Sequence, residues 1–112
     1  MDIKALFSPS RMSFDLQAET KEEVIDELID LLYKDGKLSD KEKFKKAVIK
    51  REEEFSTGIG MGIAIPHGKD SSVLEPCITF GVSKKGVDFD SMDGHPAYIF
   101  FLIAVPENAD YT

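Results

Sequence analysis

The polar and apolar positions divide the chain into a helical half and an extended half. From Thr20 to Lys34 the apolar residues Val24, Ile25, Leu28, Leu31 and Leu32 recur three and four apart, which gathers them on one face of an α-helix. Thr20 and Glu23 have capping-box spacing at its start: the hydroxyl can take the N3 amide proton while the carboxylate reaches back. Gly36 is suited to a left-handed terminator. Ser39 and Glu42 repeat the box, and Phe44, Ala47, Val48 and the stem of Arg51 keep the helical spacing, so a second helix is predicted to pack on the first as a hairpin. Ahead of both, Ser8-Pro9-Ser10 reads as a turn and Ser13-Phe14-Asp15-Leu16 alternates like a short half-buried strand.

After Glu54 the period changes. Gly58, Gly60 and Gly62 break any helix and permit positive φ. Gly62-Ile63-Ala64-Ile65 reads as a strand stopped by Pro66, with His67 exposed at its end. Cys77 to Ser83 is a strand, Lys84-Lys85-Gly86 a turn, and Val87-Asp88-Phe89 a short strand pairing back as a hairpin. Ala97 to Val105 is apolar throughout and rich in β-branched and aromatic residues, which predicts a central strand buried on both faces, ended by Pro106-Glu107-Asn108-Ala109. Such strands need cover above and below, and two helices supply only one layer. Helices beyond Thr112 or a partner chain would supply the other; a sheet face this apolar, left open, predicts a homo-oligomer.

Composition narrows the class. A chain of 112 residues is one domain, and 42% hydrophobic with 31% charged residues is a globular balance. The net charge of -7 argues against a nucleic-acid partner, whose phosphates need a basic face. The lysines Lys41, Lys43, Lys45, Lys46 and Lys50 alternate with acidic residues and read as a solvated helix face, with docking of an acidic partner left open. Cys77 is the only cysteine and lies in an apolar run, so it is expected to be a buried structural thiol, and without a partner for a disulfide the chain suits a reducing cytosol. The start of the chain lacks a basic stretch leading into a long apolar one, and the longest apolar run falls short of the roughly 20 residues a membrane helix needs, so a cytoplasmic protein with no membrane insertion is expected.

Candidate chemistry concentrates between Arg51 and Gly68. The glycines fail the dinucleotide fingerprint, because the last position of G-x-G-x-x-G falls on Ile63 or Ile65. They also fail the phosphate-loop motif, since Gly68-Lys69 is followed by Asp70. Two histidines and one cysteine without close His-x-His or Cys-x-x-Cys spacing give no positive signal for a metal, and Gly-x-Ser-x-Gly is absent. His67 remains, between Pro66 and Gly68. A neutral imidazole with one nitrogen fixed by a backbone carbonyl presents a lone pair on the other and is a competent nucleophile at cytosolic pH. A phosphoryl group beside it would want a cation and several donors, and Arg51, Ser56, Thr57 and the amides of the glycine loop are available for that role.

Arg51-Glu52, then Ser56-Thr57-Gly58-Ile59-Gly60, then Gly62-Ile63-Ala64-Ile65-Pro66-His67-Gly68 closely resembles the signature of the fructose/mannitol-type (type 2) enzyme IIA domain of the bacterial phosphoenolpyruvate-dependent sugar phosphotransferase system. The likeness extends to the helix from Thr20 to Lys34, to Val87-Asp88-Phe89, and to Asp93-Gly94 with Pro96 leading into the apolar strand. It implies an α/β (α+β) fold, a three-layer α/β/α sandwich on a mixed β-sheet, in a single domain over residues 1–112. It implies that His67 takes a phosphoryl group from the histidine-containing phosphocarrier protein and passes it to a cysteine or histidine of an enzyme IIB partner. Arg51 would neutralise the phosphate, Ser56 and Thr57 would hydrogen-bond near it, and Gly58, Gly60 and Gly68 would support the phosphate site. No metal or cofactor is implied. Members continue past the equivalent of Thr112 with further helices and a second active-site histidine, so the chain reads as C-terminally truncated; His95 does not match that histidine and reads as a surface loop residue. Phe55 and Met61 are more apolar than this loop ordinarily carries, which suggests partner contact or local packing. Rival readings are a nitrogen-type or transcription-regulator enzyme IIA domain, an anion-binding module without transfer, and a fragment that folds only in an oligomer.

Overall fold

The computed structural model describes residues 3–108. Helix α1 is Lys21–Lys34 and α2 is Lys41–Glu54. The strands are β1 (Met12–Ser13), β2 (Gly58–Gly60), β3 (Ile63–Ala64), β4 (His67–Lys69), β5 (Cys77–Val87) and β6 (Ala97–Val105). They form one mixed sheet in the order β1-β5-β6-β3-β2, with β4 also pairing β6. The mixed sheet with its helical layer is the α/β arrangement expected from the sequence. Ala109, which closes the run read as a strand terminator, lies outside the described residues.

Local chemistry accounts for the helices. Thr20 Oγ1 accepts from the Glu23 amide at 3.2 Å, while the Glu23 carboxylate reaches one residue beyond the expected box, to the Glu19 amide at 3.0 Å. Gly36, at φ 72°, ends α1, and the Lys37 amide donates back to the Leu32 carbonyl at 3.0 Å. The cap of α2 is Asp40, not Ser39: its carboxylate accepts from the Lys43 amide at 3.1 Å. The Ser39 hydroxyl donates instead to the Ser72 carbonyl.

Both helices lie on one face of the sheet. Val24, Ile25, Leu28, Leu32, Phe44 and Val48 meet Phe100, Leu102, Ala104, Cys77 and Gly81 in a single core. Burial pushes the Cys77 thiol up to about 11, which fits the inert structural thiol the apolar run suggests. A Cβ at Gly81 would come 2.7 Å from Leu16 and 2.8 Å from Leu28, so the glycine lets α1 approach the sheet. Residues of the opposite parity, Ile78, Phe80 and Val82 of β5 with Phe101 and Ile103 of β6, are only half-buried. Phe14, Phe80 and Phe101 stack along that face with centroids 5.7 and 5.2 Å apart. The central strand is therefore sealed on its helix face alone among the described residues.

Two strand expectations change. Lys84-Lys85-Gly86 is not a turn but a bulge inside the continuous strand β5, which resumes pairing at Val87↔Ala97. Gly86 takes φ 84° there, its amide donating to Ser83 Oγ at 3.1 Å. Val87 is the last residue of β5, and Asp88 and Phe89 do not form a separate strand. As expected, the strand before Pro66 stops short of it, β3 ending at Ala64, but pairing with β6 resumes beyond the proline. The ladder loses one donor at the proline, but the Pro66 carbonyl still accepts the Ile103 amide at 3.0 Å and pairing with β6 continues through His67↔Ile103. His67 is thus the first residue of β4, half-buried, rather than exposed at a strand end.

Candidate functional site

The C-terminal turn of α2 and the N-terminal end of β4 meet at a cavity of about 420 Å³. Arg51, Ser56, Thr57, Ile59, Ile65, His67, Gly68, Lys69, Ile103 and Val105 line it. Of the residues singled out in sequence, Arg51, Ser56, Thr57, His67 and Gly68 therefore come together, while Gly58 and Gly60 lie outside the lining. His95 is exposed in a loop, its amide bonded to Asp93 Oδ1 at 3.0 Å.

The break at Pro66 sets the imidazole. Between β3 and β4 the Ile65 carbonyl faces His67 Nδ1 at 3.1 Å. A carbonyl can only accept, so Nδ1 carries the proton and Nε2 is left with the lone pair. Arg51 sits in the last turn of α2, where a cation meets the negative end of the helix dipole. One arm of its guanidinium donates to the Phe55 carbonyl at 2.9 Å, which anchors the side chain at the cavity wall.

The hydroxyls are engaged elsewhere. Ser56 Oγ donates to the Phe89 carbonyl at 2.6 Å and accepts from the Gly58 amide at 3.0 Å. Thr57 Oγ1 donates to Glu52 Oε1 at 2.6 Å, and the Thr57 amide donates to Glu52 Oε2 at 2.8 Å. Each hydroxyl has a single proton. Both protons are thus committed to bracing the loop.

The glycines are explained by crowding and by backbone angle. A Cβ at Gly58 would meet Ser91 Oγ at 2.5 Å, and one at Gly68 would meet Val48 Cγ2 at 2.8 Å. Gly60, at φ 98°, has the left-handed conformation that glycine adopts without strain. Met61, at φ 58°, follows it, and its amide donates to Asp93 Oδ2 at 2.9 Å. That bond and the one from the His95 amide hold the Asp93 carboxyl below the usual carboxylate range.

Glu52 is the residue that sequence reading underused. It is buried at 7% exposure, accepts both Thr57 donors, and pairs with Lys21 of α1 at 2.9 Å. The signal was the stripe Phe44, Val48, Glu52, four residues apart on the face that turns into the core. An acid on a core stripe needs a buried partner, and Lys21 and Thr57 provide it.

Residues 5–112 match the family model described as phosphoenolpyruvate-dependent sugar phosphotransferase system, EIIA 2. A fructose-specific EIIABC component of that system from Bacillus subtilis is 47% identical over 112 residues, covering all of this chain, which spans 18% of that protein's length. Among solved structures, the nitrogen regulatory protein IIA-Ntr from Neisseria meningitidis superposes with a TM-score of 0.86 at 33% identity, over 96% of this chain and 73% of its own. Enzyme IIA for mannitol from Escherichia coli, solved in complex with phosphorylated enzyme IIB, gives a TM-score of 0.79 at 27% identity, over 91% of this chain and 72% of its own. Among the described residues no helix is long and apolar enough to cross a membrane.

Proposed function

The chain belongs to the EIIA 2 family of the phosphoenolpyruvate-dependent sugar phosphotransferase system, and on that premise we propose that His67 carries a phosphoryl group between two proteins. The observation that carries this reading is the bond from Nδ1 to the Ile65 carbonyl, which leaves Nε2 as the nucleophilic nitrogen in a cavity that Arg51 also lines. The Nε2 lone pair attacks the phosphorus of a phosphohistidine on the donor. The new N–P bond forms as the donor's N–P bond breaks, and the donor imidazole leaves with the bonding pair. The Nδ1 proton stays on the ring, against the Ile65 carbonyl. Negative charge spreads over the equatorial oxygens in the transition state, and the Arg51 guanidinium is the cation that meets it. The reverse geometry delivers the group to a thiolate or imidazole of the acceptor.

The donor is the histidine-containing phosphocarrier protein and the acceptor an enzyme IIB, in a cytoplasmic setting. Sugar uptake is the favoured role, because the fructose-specific relative is 47% identical over the whole chain. A nitrogen-regulatory role is the second reading, favoured by the superposition on IIA-Ntr at a TM-score of 0.86. In both, residues 1–112 act as one EIIA 2 domain. Ser56, Thr57, Gly58, Gly60 and Gly68 support the site by holding the loop and the strand in place. Incubation with radiolabelled phosphoenolpyruvate and the upstream transfer proteins labels the chain with an acid-labile group. Equal labelling of a His67→Ala variant would refute the assignment.

A further inference from the structure

Thr57 stands between Glu52 and the imidazole. On one side its amide and hydroxyl donate to the two Glu52 carboxylate oxygens, at 2.8 and 2.6 Å. On the other its carbonyl accepts the Ile65 amide at 2.9 Å. Ile65 in turn presents the carbonyl that faces His67 Nδ1 at 3.1 Å. Glu52, Thr57, Ile65 and His67 are therefore joined by consecutive hydrogen bonds that run from the core to the ring. Lys21 fixes the inner end from α1, its ammonium 2.9 Å from Glu52 Oε2.

A second branch leaves the same carboxylate. Phe55, two residues before Thr57, offers the carbonyl that accepts from the Arg51 guanidinium at 2.9 Å. Segment 55–57 thus carries one contact toward the cation of the cavity and one toward its nucleophile. Glu52 and Thr57 are both buried, so a bond lost between them leaves a polar group without an acceptor. The Thr57 amide and carbonyl belong to different peptide groups, as do those of Ile65, so these bonds transmit position rather than charge. Position decides which nitrogen reacts. An imidazole that loses its carbonyl partner carries its proton on either nitrogen, and with the proton on Nε2 the lone pair moves to Nδ1, away from the incoming phosphorus.

We propose that Glu52 is a positioning residue for phosphoryl transfer: through Thr57 and Ile65 it keeps the His67 proton on Nδ1, and through segment 55–57 it holds the Arg51 guanidinium at the same cavity. It rests on the phosphocarrier reading above. A displacement of about 1 Å at a reacting group costs on the order of 10²-fold in rate, so a carboxylate that never touches the phosphoryl group can govern its transfer.

The test compares Glu52→Ala with Glu52→Gln by ¹⁵N NMR of the neutral His67 ring and by transfer from the phosphorylated phosphocarrier protein. Glutamine keeps both contacts to Thr57, its carbonyl accepting the amide and its NH₂ donating to the hydroxyl oxygen. Glu52→Ala is expected to mix the two tautomers and to lower kcat ~10-fold or more, with KM within about two-fold. Glu52→Gln keeps the proton on Nδ1 and a kcat within about three-fold of the unsubstituted chain. Lys21→Met/Glu52→Leu removes both charges together, which a fold tolerates better than a lone buried charge, and gives the same result as Glu52→Ala even where that variant does not fold. Leu32→Ala, buried near the other end of α1 from Lys21, is the control: it loses stability by a cavity and leaves tautomer and kcat unchanged. A ring that keeps its proton on Nδ1 in the folded variants lacking Glu52, or a kcat within about two-fold there, overturns the positioning role. So does a loss shared by Leu32→Ala, or a Glu52→Gln chain no better than Glu52→Ala. Absence of label on the unsubstituted chain overturns the His67 reading instead, and the tautomer measurement, which needs no transfer, tells the two failures apart.

Discussion

Replacing Glu52 by Ala tests whether a buried carboxylate holds the loop that walls the His67 cavity. The side chain makes three charge-assisted contacts: from Thr57 N at 2.8 Å, from Thr57 Oγ1 at 2.6 Å and from Lys21 Nζ at 2.9 Å. Removing one partner of a buried charge pair costs about 3–5 kcal/mol. Lys21 keeps Asp90 at 3.4 Å, the Phe89 carbonyl, and the Phe89 ring at 4.8 Å, and its side chain is 22% exposed, so the loss belongs at the low end. The expectation is about 3 kcal/mol for Glu52→Ala, mostly from the Thr57 amide left buried without an acceptor. Thr57→Val removes only the hydroxyl bond, at about 1.5 kcal/mol. Because the two side chains touch, the double variant falls short of the sum by about 1 kcal/mol or more. The chain has no tryptophan, so urea unfolding followed by far-UV circular dichroism is the assay. At a slope of about 1.5 kcal/mol/M the first change moves the midpoint by roughly 2 M. A loss under about 1 kcal/mol for Glu52→Ala, or additivity within roughly 0.5 kcal/mol, would refute the loop-anchoring argument.

Thr79 is fully buried under the helices and its hydroxyl has no hydrogen-bond partner among the described residues. Thr79→Val keeps the shape and removes an unsatisfied polar atom, so it should raise stability by about 1 kcal/mol in the same assay; a loss of that size would reveal a partner for the hydroxyl. Arg11 is buried at 3% exposure and its guanidinium donates to Asp35 at 2.7 Å, to the Leu6 carbonyl at 2.9 Å and to the Ile78 carbonyl at 3.3 Å, tying the start of the chain to the end of α1 and to β5. The hydrogen bond from Arg11 holds the Asp35 carboxyl below its ordinary value of 3.8. The unfolded carboxyl therefore takes up a proton first, so this stabilisation is full above about pH 3.8 and is lost as pH falls through the lower folded value. Urea midpoints across pH should show the penalty of Asp35→Asn constant near neutrality and shrinking in acid; a penalty that grows in acid contradicts the sign.

Elements set by neighbours in sequence were legible, and those set by distant contacts were not. The two helices follow from the 3.6 period and adjacent caps, yet even there Ser39 and Asp40 are both good caps. The choice between them fell to Ser72, whose carbonyl, 33 residues on, takes the Ser39 hydroxyl. Lys84-Lys85-Gly86 has turn composition, and only pairing with β6 makes it a bulge. Pro66 looks like a strand end because a proline removes a donor; that its carbonyl still accepts from Ile103 depends on a strand some 37 residues later. The candidate site was visible as a cluster of residue types, Arg51 and His67 above all. What was not visible was which donors are free, because Glu52, Phe89 and Asp93 take the protons of Thr57, Ser56 and Met61.

The same contacts explain why Arg51 and Glu52, side by side, have separate tasks. Successive residues on a helix point about 100° apart, so one faces the cavity while the other turns to Lys21 and the loop. That division holds only for one rotation of α2 about its axis. Phe44 and Val48 fix the rotation by filling the space where Gly68 has no side chain: a Cβ there would stand 2.8 Å from Val48 Cγ2 and 3.0 Å from Phe44 Cε1. A larger residue at 68 would push α2 off β4 and carry Arg51 away from the cavity it lines with His67. The glycine that follows the histidine acts on the site through the helix it lets in, and the arginine reaches the cavity because that helix packs directly on the strand that carries His67.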